Sequence, residues 1–462
     1  MSNRILLRGG HLVTMDEQLG DLDGDILIDG NRILDVGDRI TDNAAEVVEL
    51  NDAVVIPGLI DTHIHLWQAA VRGMASGCYG REYFGVVHPL SGRLRASDMY
   101  DTTYGAALEL LTRGVTTVFD FCHATNSPEH AASSLAALDN SGIRALFGFC
   151  FRHRPEAPVE GFETLEQRQV VLKELQGTWG DHDRIRLAVA LNNIDHVSTE
   201  VHVQELSAAR ELGLISSIHS NLPGQVSVSH AEGLLGDDIL WVHAGTITDG
   251  ELDLLHDNGG SIVCTAEIEA GQMSITPIVN RAVHHGVPVT FGTDVPAAHN
   301  GDMITALRIT HVVSRMLDGQ LEKAQGRSGA RTAWSPTLSA LDILRMATID
   351  SADVLGLGDE IGSITPGKKA DLAVVSTEPF GMAAASPVDF VLFQATSRNV
   401  ERVYVSGQQV VERGIPVGVD MHTVRGNLDA TRRWVLGRDP QSPWIEIDDA
   451  ARARYEAGQG KA

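Results

Sequence analysis

Eight short apolar runs that alternate with helix-like stretches constrain the fold of this 462-residue chain more than any other feature. The runs are rich in Val, Ile and Phe, and apolar residues between them recur at spacings of three and four. The runs cover residues 54–65, 115–123, 143–151, 184–192, 214–220, 239–245, 260–267 and 288–294. This alternation is typical of a parallel sheet with crossover helices and not of a β-sandwich. Eight such units predict an α/β fold, a closed (β/α)8 TIM-like barrel.

The two ends of the chain differ from this central segment. Residues 1–56 and 361–415 carry short alternating strands and Gly-containing turns, which predicts one small β-sandwich formed by both chain ends. The barrel, predicted for residues 57–360, is then inserted between the two halves of the sandwich. Residues 416–462 are predicted to form a C-terminal helical tail.

Composition restricts the class of function. Lys and Arg total 36 against 61 Asp and Glu, a formal net charge of −25, which disfavours nucleic acid and anionic membranes as partners. No apolar stretch nears the roughly 20 residues that span a bilayer, and the N-terminus has no sustained apolar signal core. The 4 cysteines are far apart and include no CxxC motif, so we expect reduced thiols. These features favour a cytoplasmic enzyme with a small-molecule substrate.

Histidines and one aspartate stand at the ends of the apolar runs. His63 and His65 end the first run, and residues two apart on a strand project the same way, so both imidazoles can bind one metal ion. His219, His243 and Asp294 end the fifth, sixth and eighth runs, and the carboxyl ends of barrel strands form the active site. Taken singly, each histidine also fits a carbonyl-bonded structural role, and Asp294 fits a helix N-cap. Together they predict a site for a divalent ion such as Zn²⁺, with the ligands His63, His65, His219 and Asp294.

The predicted ion makes hydroxide available at neutral pH, because it lowers the pKa of a bound water from about 15.7 to about 7. Asp294 is expected to bind or neighbour the ion and to take the proton from the attacking water. His243 is the predicted catalytic partner. It would donate a hydrogen bond to the carbonyl or ring nitrogen under attack, or orient the hydroxide.

The motifs as a set resemble the amidohydrolase superfamily, in its branch of cytosine, guanine and S-adenosylhomocysteine deaminases and triazine hydrolases such as atrazine chlorohydrolase. They are GGHLVTMD at 9–16, PGLIDTHIHLWQ at 57–68, the strand-end residues above, and GSITPGKKADLAVV at 362–375. The resemblance implies the same four ligands, holding Zn²⁺ or Fe²⁺, with Co²⁺ also compatible with the ligand types. It also implies one metal ion, because the third and fourth runs offer no lysine to bridge a second.

The chain departs from this family near the strand ends. Family deaminases carry a proton-shuttling Glu three residues after the fifth-strand histidine, and Leu222 stands there in this chain. The loop after the seventh run reads Thr-Ala-Glu-Ile-Glu from residue 265, where the family often has NPTSN. We predict Glu267 and Glu269 as substrate contacts and hypothesise that one of them supplies the missing acid–base function. A solvated acidic loop is the alternative explanation.

Other residues near the predicted mouth are candidate substrate contacts. Trp67 and Gln68 follow the metal pair and could stack on and hydrogen-bond a planar substrate, although packing at a helix start explains them equally well. His123 ends the second run and faces the same mouth, where a structural histidine is the alternative. Arg152 and His153 follow the third run and are better explained as a surface pair.

The leading prediction is metal-dependent hydrolysis of a non-peptide carbon–nitrogen bond in a small uncharged molecule, first of all deamination of an amino-heterocycle. The missing Glu leaves two alternatives open. They are hydrolysis of an amide, urea or (thio)carbamate, and removal of chloride or an alkylamine from a triazine. A non-catalytic binding protein is disfavoured, because the ligand set is complete. The resemblance further implies a homo-oligomer.

Overall fold

Two sheets organise the chain. The computed structural model describes residues 4–80, 82–151, 161–326, 337–382, 386–439 and 441. Arg152, His153 and residues 442–462 of the predicted tail lie outside the described residues. One sheet has eight strands and the other has nine. Within the described ranges, no helix combines the length and the apolar character needed to cross a membrane.

The strands and helices alternate through the middle of the chain, whereas strands dominate both ends. In chain order the strands are β1 (Arg4–Leu12), β2 (Leu22–Asp29), β3 (Arg32–Gly37), β4 (Glu46–Glu49), β5 (Val54–Pro57), β6 (Leu59–Ile64), β7 (Val115–Cys122), β8 (Arg144–Cys150), β9 (Ile185–Ala190), β10 (Ser216–Ser220), β11 (Ile239–His243), β12 (Ser261–Cys264), β13 (Val289–Phe291), β14 (Leu372–Val375), β15 (Val400–Val405), β16 (Gln408–Glu412) and β17 (Ile415–Pro416).

The helices lie mainly between the strands of the eight-stranded sheet. The α-helices are α1 (Glu82–Val86), α2 (His88–Ser91), α3 (Ala96–Leu111), α4 (Pro128–Ser141), α5 (Leu165–Trp179), α6 (Thr199–Glu211), α7 (Gln225–Ala231), α8 (Asp249–Asp257), α9 (Ala266–Ile268), α10 (Val279–His284), α11 (Met303–Ala324), α12 (Ala340–Met346), α13 (Ile349–Val354), α14 (Pro387–Asp389) and α15 (Met421–Val435). Short 3₁₀ segments cover Leu66–Val71, Ile194–His196 and Ser397–Asn399, and π-helical turns cover Glu269–Met273 and Phe390–Gln394.

Strands β6 to β13 form the barrel, and each pairs in parallel with its neighbour in sequence. The first and last strands meet where the chain leaves β13. There Asp294 N donates to His63 O at 3.0 Å, and His65 N donates to Asp294 O at 3.0 Å. These bonds close the circle and confirm the predicted (β/α)8 barrel.

Apolar side chains fill the barrel from the amino ends of its strands upward. Ile60, Phe119 and Leu146 belong to a buried cluster that also includes Leu355 and Ile361, from the segment after β13. Above it lies a smaller cluster, which consists of Phe121, Cys150 and Ala190. The Phe121 ring is 5.3 Å from the His63 ring and 4.5 Å from the His219 ring, so this small apolar layer is the floor of the histidine site.

Both ends of the chain build the second sheet. β14 pairs antiparallel with β5, with Ala373 opposite Ile56, so the C-terminal strands extend the N-terminal ones. β1 changes register between Leu7 and Gly10, and Gly9 between them has a φ of 73°, a left-handed conformation that suits glycine. The bend lets β1 pair with β4 before it and β5 after it, which folds the sheet around its own core. The predicted sandwich from both chain ends is therefore confirmed.

The domain limits at residues 56, 361 and 415 remain a prediction, and the strands fall close to them. β5 ends at Pro57, and β17 ends at Pro416. Beyond β17, the described part of the predicted tail contains α15, which packs on the barrel. Thr431 Oγ1 donates to Asp98 Oδ1 at 2.9 Å, and Arg432 Nε donates to Ala70 O at 2.8 Å, next to the segment that follows the histidine pair.

Candidate metal centre and active site

Three histidine side chains converge at the carboxyl end of the barrel. Ring nitrogens of His63, His65 and His219 all lie within 4.8 Å of one another. The first two come from the end of β6, and His219 comes from β10 across the barrel. These are three of the four predicted ligands, and imidazole groups so arranged fit a divalent ion such as Zn²⁺.

The fourth predicted ligand, Asp294, lies against the same histidines. Its Oδ1 is 3.3 Å from Nε2 of His63 and 3.3 Å from Nε2 of His65. Burial raises the pKa of the Asp294 carboxyl, but the contacts with His63 and His65 outweigh burial and hold this pKa well below its usual value. The carboxyl is therefore ionised at neutral pH, the form that binds a metal or accepts a proton.

The hydrogen bonding of His63 and His65 leaves ring nitrogens that can bind a metal ion at this centre. His65 Nδ1 is 2.8 Å from the Phe121 carbonyl oxygen, which only accepts, so Nδ1 carries a proton and Nε2 is the nitrogen that faces Asp294. Both ring nitrogens of His63 are buried and have no hydrogen-bond partner in the described chain. Leaving such a group unsatisfied costs about 1–3 kcal/mol, and a metal ion would satisfy it. The donor set thus fits a metal.

Burial also controls the charge of these rings. It lowers the pKa of His63 to about 4, against the opposing effect of Asp294. It likewise lowers the pKa of His219 well below the usual value, and the neighbouring His63 and His243 rings lower it further. Both rings are therefore neutral at pH 7, as metal ligands must be.

The backbone at the barrel closure is unusual in two respects. Asp294 has a φ of 64° and His243 a φ of 67°, values that cost a non-glycine residue of order 1 kcal/mol or more. Gly292 packs so tightly on β6 that a Cβ atom there would lie 2.5 Å from the His63 carbonyl oxygen. Only glycine leaves room for this close approach, which brings Asp294 against the first strand.

His243 stands beside the cluster with its two nitrogens in different surroundings. Nε2 is 3.7 Å from Asp294 Oδ2, and Nδ1 is 2.9 Å from Thr265 Oγ1. Burial lowers the pKa of His243, but the carboxylates of Glu269 and Asp294 outweigh burial and raise it overall. Thr265 is not among the residues predicted for the site, although its position directly after β12 marks it as a mouth residue.

The two candidate glutamates after β12 occupy different surroundings. Glu269 is fully buried (0% exposed), and its Oε1 lies 3.7 Å from His243 Nδ1. The Glu267 side chain is 28% exposed, and its Oε1 lies 3.0 Å from His299 Nδ1. Glu269 is thus near the predicted catalytic histidine, while Glu267 pairs with a residue of the loop after β13.

Aromatic and amide groups flank the histidines on the side of the first strand. Trp67 Nε1 donates to His123 Nδ1 at 2.8 Å, and the His123 ring stacks on His65 with centroids 4.2 Å apart. Gln68 Nε2 donates to the Tyr83 hydroxyl at 2.6 Å, whereas its Oε1 is buried without a hydrogen-bond partner in the described chain. Both Trp67 and Gln68 are buried in the 3₁₀ segment. Each side chain therefore packs in the interior and also makes a polar contact.

The segment after His219 contains no carboxylate at the position of the family's Glu. Leu222 occupies it and is 49% exposed. The backbone there is held by Gln225, whose Oε1 accepts from Asn221 N at 2.8 Å and from Leu222 N at 3.0 Å. An apolar side chain cannot transfer a proton, so this loop holds no shuttle at the usual place.

Comparison with known proteins identifies the family. A model described as the amidohydrolase family matches residues 54–410. The chain belongs to the amidohydrolase family. Membership confirms the resemblance, and with it the predicted class of hydrolases acting on carbon–nitrogen bonds other than peptide bonds.

Several curated proteins resemble this amidohydrolase over most of its length. The 5'-deoxyadenosine deaminase of Methanothermobacter thermautotrophicus is 26% identical over 409 residues, which cover 85% of this chain and 90% of the relative. The 5-methylthioadenosine/S-adenosylhomocysteine deaminase of Nitratidesulfovibrio vulgaris is 25% identical over 456 residues, which cover 94% and 98%.

Solved structures show the same fold. An adenosine deaminase from Xanthomonas campestris with bound zinc aligns with a TM-score of 0.80 and 22% identity, over 93% of this chain and 98% of the other. Atrazine chlorohydrolase from Arthrobacter aurescens, in complex with zinc, aligns with a TM-score of 0.80 and 22% identity, over 93% and 100%. At this identity the likeness concerns the architecture of the amidohydrolase barrel and sandwich.

Proposed function

We propose that this amidohydrolase removes an exocyclic amino group from a small, uncharged, planar heterocycle by metal-dependent hydrolysis. The observation that carries the proposal is the buried cluster at the barrel mouth, in which Asp294 contacts the rings of His63 and His65. Relatives named as deaminases of 5'-deoxyadenosine and of 5-methylthioadenosine/S-adenosylhomocysteine support an amino-heterocycle as the substrate class.

One divalent ion is the proposed cofactor, with Zn²⁺ as the first candidate and Fe²⁺ or Co²⁺ as alternatives. The proposed ligands are His63, His65, His219 and Asp294, and the unpartnered nitrogens of His63 support this set. When bound, such an ion supplies Lewis acidity and makes a water molecule acidic enough to lose its proton at neutral pH. The zinc in structures of similar fold agrees with this choice.

The chain's own residues have separate proposed tasks. Asp294, ionised beside the histidines, accepts the proton of the attacking water and returns it to the leaving nitrogen. The buried Gln68 Oε1 accepts a hydrogen bond from a substrate N–H group. The indole N–H of Trp67 orients His123, and the stacked rings of His123 and His65 offer a flat wall for a planar substrate.

The exposed Leu222 favours a second candidate. A leaving group that is a weak base, such as the chloride of a triazine or the thiolate of a thiocarbamate, departs without protonation, whereas an amine still takes its proton from Asp294. Hydrolysis of an amide, urea or (thio)carbamate, or removal of chloride or an alkylamine from a triazine, is therefore the alternative function. Glu267, which faces His299 in the neighbouring loop, remains a candidate substrate contact in either case.

A substrate panel tests the proposal. Zinc-loaded protein would be assayed for ammonia release from adenine nucleosides, aminopyrimidines and aminotriazines, and for cleavage of ureas, amides and carbamates. We expect at least one amino-heterocycle to release one ammonia per molecule converted. Cleavage of ureas or carbamates without ammonia release from any heterocycle would replace the deaminase proposal with the alternative. Metal analysis separates both from a binding protein, which would hold no divalent ion and respond to none.

We also propose that the enzyme works in the cytoplasm as a homo-oligomer. All four cysteines are free thiols, three of them buried, which agrees with a reducing compartment. The proposed partner is the small-molecule substrate alone, since the net charge of −25 repels nucleic acid and anionic membranes. Light scattering on the purified protein checks the oligomer, and a monomeric mass would reject it.

A further inference from the structure

Glu269 is a buried side chain that accepts hydrogen bonds from Cys264 and Thr265, at the end of β12. Its Oε1 accepts from Thr265 N at 2.7 Å and from Thr265 Oγ1 at 3.3 Å. Its Oε2 accepts from Cys264 Sγ at 3.3 Å. Burying an ionised group without compensation is expensive, so a carboxylate held in this way needs a reason for being there.

The pattern of donors defines the proton positions between Glu269 and His243. The Thr265 hydroxyl donates to Glu269 Oε1 at 3.3 Å. The Thr265 oxygen is then the acceptor for His243 Nδ1, which lies 2.9 Å away. Nδ1 therefore carries a proton, and in the neutral ring Nε2 presents its lone pair on the side of Asp294.

We infer that Glu269 is a positioning residue, which acts through the Thr265 hydroxyl to hold His243 as the Nδ1–H tautomer with Nε2 facing the metal cluster. The inference rests on the proposed function, because Nε2 matters only if a reacting water or substrate meets it. When the ring is neutral, its Nε2 in this orientation accepts a hydrogen bond from a water or from a substrate N–H. Of the two roles predicted for His243, orienting the attacking water fits this tautomer.

The local backbone supports this role. Glu269 begins the π-helical turn Glu269–Met273, and its carbonyl oxygen accepts from Ile275 N at 2.9 Å. π-Helical turns are rare and occur frequently at functional sites. From the first position of this turn, the Glu269 side chain bonds back to Thr265. Glu269 therefore does not itself replace the shuttle absent at Leu222, and its influence passes through His243.

The first test reads the tautomer directly. Nitrogen-15 NMR of histidine-labelled, zinc-loaded, full-length protein, recorded at a pH at which the His243 ring is neutral, would assign its ring nitrogens. We expect a protonated Nδ1 and an unprotonated Nε2 in the wild type, and a shift toward mixed tautomers in Thr265→Val and Glu269→Gln. Thr265→Ser keeps the hydroxyl and should keep the wild-type shifts. Unchanged His243 shifts in both Thr265→Val and Glu269→Gln would overturn the inference.

The second test separates positioning from metal binding and folding. We expect Glu269→Gln and Thr265→Val to lower kcat by about 10- to 100-fold, the range for groups that orient a functional histidine, with KM and bound zinc unchanged. Thr265→Ser keeps the hydroxyl, so its kcat should stay near the wild-type value, unlike that of Thr265→Val. Cys264→Ala is the matched control, because it removes the contact on Oε2 and leaves Oε1 bonded to Thr265.

Two results would count against the inference. Activity that falls in proportion to bound zinc would make Glu269 part of metal retention, and Thr265→Ser as inactive as Thr265→Val would exclude the hydroxyl. If Glu269→Gln fails to fold, the two Thr265 variants carry the test, since both keep the carboxylate. If no compound in the panel is converted, the proposed function fails, whereas the NMR measurement still decides the inference.

Discussion

The two ends of the barrel differ in how their buried ionisable side chains are paired. At the carboxyl end, both nitrogens of His63 lack a hydrogen-bond partner in the described chain, and His243 and Asp294 have positive φ angles. At the amino end, the Arg144 guanidinium binds Asp371 through two nitrogens, at 2.8 and 3.1 Å.

The amino end continues this pairing toward the sandwich. Lys369 Nζ lies 2.7 Å from Asp183 Oδ1 and 2.9 Å from Glu360 Oε2, and Arg144 Nη2 donates to the Ser406 hydroxyl at 2.8 Å. The two ends of the barrel therefore have different roles. Satisfied ion pairs at the amino end hold the barrel to the sandwich. At the carboxyl end, histidine nitrogens without a hydrogen-bond partner and residues with positive φ angles lie where barrel enzymes place their active sites.

The largest effect is expected at the mouth. Asp294→Asn removes the proposed general base and a proposed ligand while it keeps the shape of the side chain. We expect kcat to fall by about 100- to 10,000-fold, the usual contribution of acid–base catalysis, with a folded protein by circular dichroism. Asp302→Asn is the control, because Asp302 caps α11 and accepts from Thr305 N. Wild-type turnover in Asp294→Asn would remove this residue from the mechanism.

A large effect on stability is expected at the opposite end. Asp371→Asn leaves the buried Arg144 guanidinium without its carboxylate, and breaking a buried pair costs about 3–5 kcal/mol. Urea unfolding measures this loss, and kcat of the folded protein should stay near the wild-type value. Glu49→Gln is the matched control, since it breaks the exposed pair with Arg8, which is worth at most about 1 kcal/mol. Equal losses in the two variants would contradict the contrast between the ends.

A smaller, pH-dependent effect is expected beside the mouth, at the loop after β9. Burial raises the pKa of Glu205 from 4.5 to about 7, although hydrogen bonds from Asn192 oppose the shift. A carboxyl with a raised pKa stabilises the fold most below pH 4.5, and this contribution disappears as pH rises to about 7. The shift corresponds to about 3 kcal/mol at most.

Glu205→Gln tests this pH dependence, because the amide does not titrate. Relative to the wild type, the free energy of unfolding of the variant should improve between pH 4.5 and pH 7.5, as the wild type alone loses stability. Urea titrations at several pH values measure the difference. A difference that stays constant across this range would show that Glu205 ionises normally in the folded protein.

Much of the architecture could be predicted because its signals are local. Apolar runs separated by helix-like stretches mark strands β6 to β13, and the short alternating strands of both ends mark the sandwich. The strand-end positions of His63, His65 and His219 were enough to expect one cluster, since barrel strands bring their carboxyl ends together.

The polar connections within the site could not be predicted in the same way. The indole of Trp67 bonds His123, a residue 56 positions away, and Asp294 reaches His63 and His65 only because Gly292 lets β13 close against β6. Such contacts depend on side-chain directions at strand ends, where a bulge or a positive φ changes the face on which a residue lies.

The glutamates after β12 show which features of the site follow from the sequence and which depend on the tertiary structure. The amino-acid sequence by itself determined that a carboxylate stands in this loop and that none stands at Leu222, because both facts concern residue identity. Only the tertiary structure decided that Glu269 lies beneath Thr265 and His243 while Glu267 meets His299. The physical reason is the helical backbone of this segment, on which side chains two residues apart point to nearly opposite sides, so that Glu269 is buried while Glu267 is partly exposed.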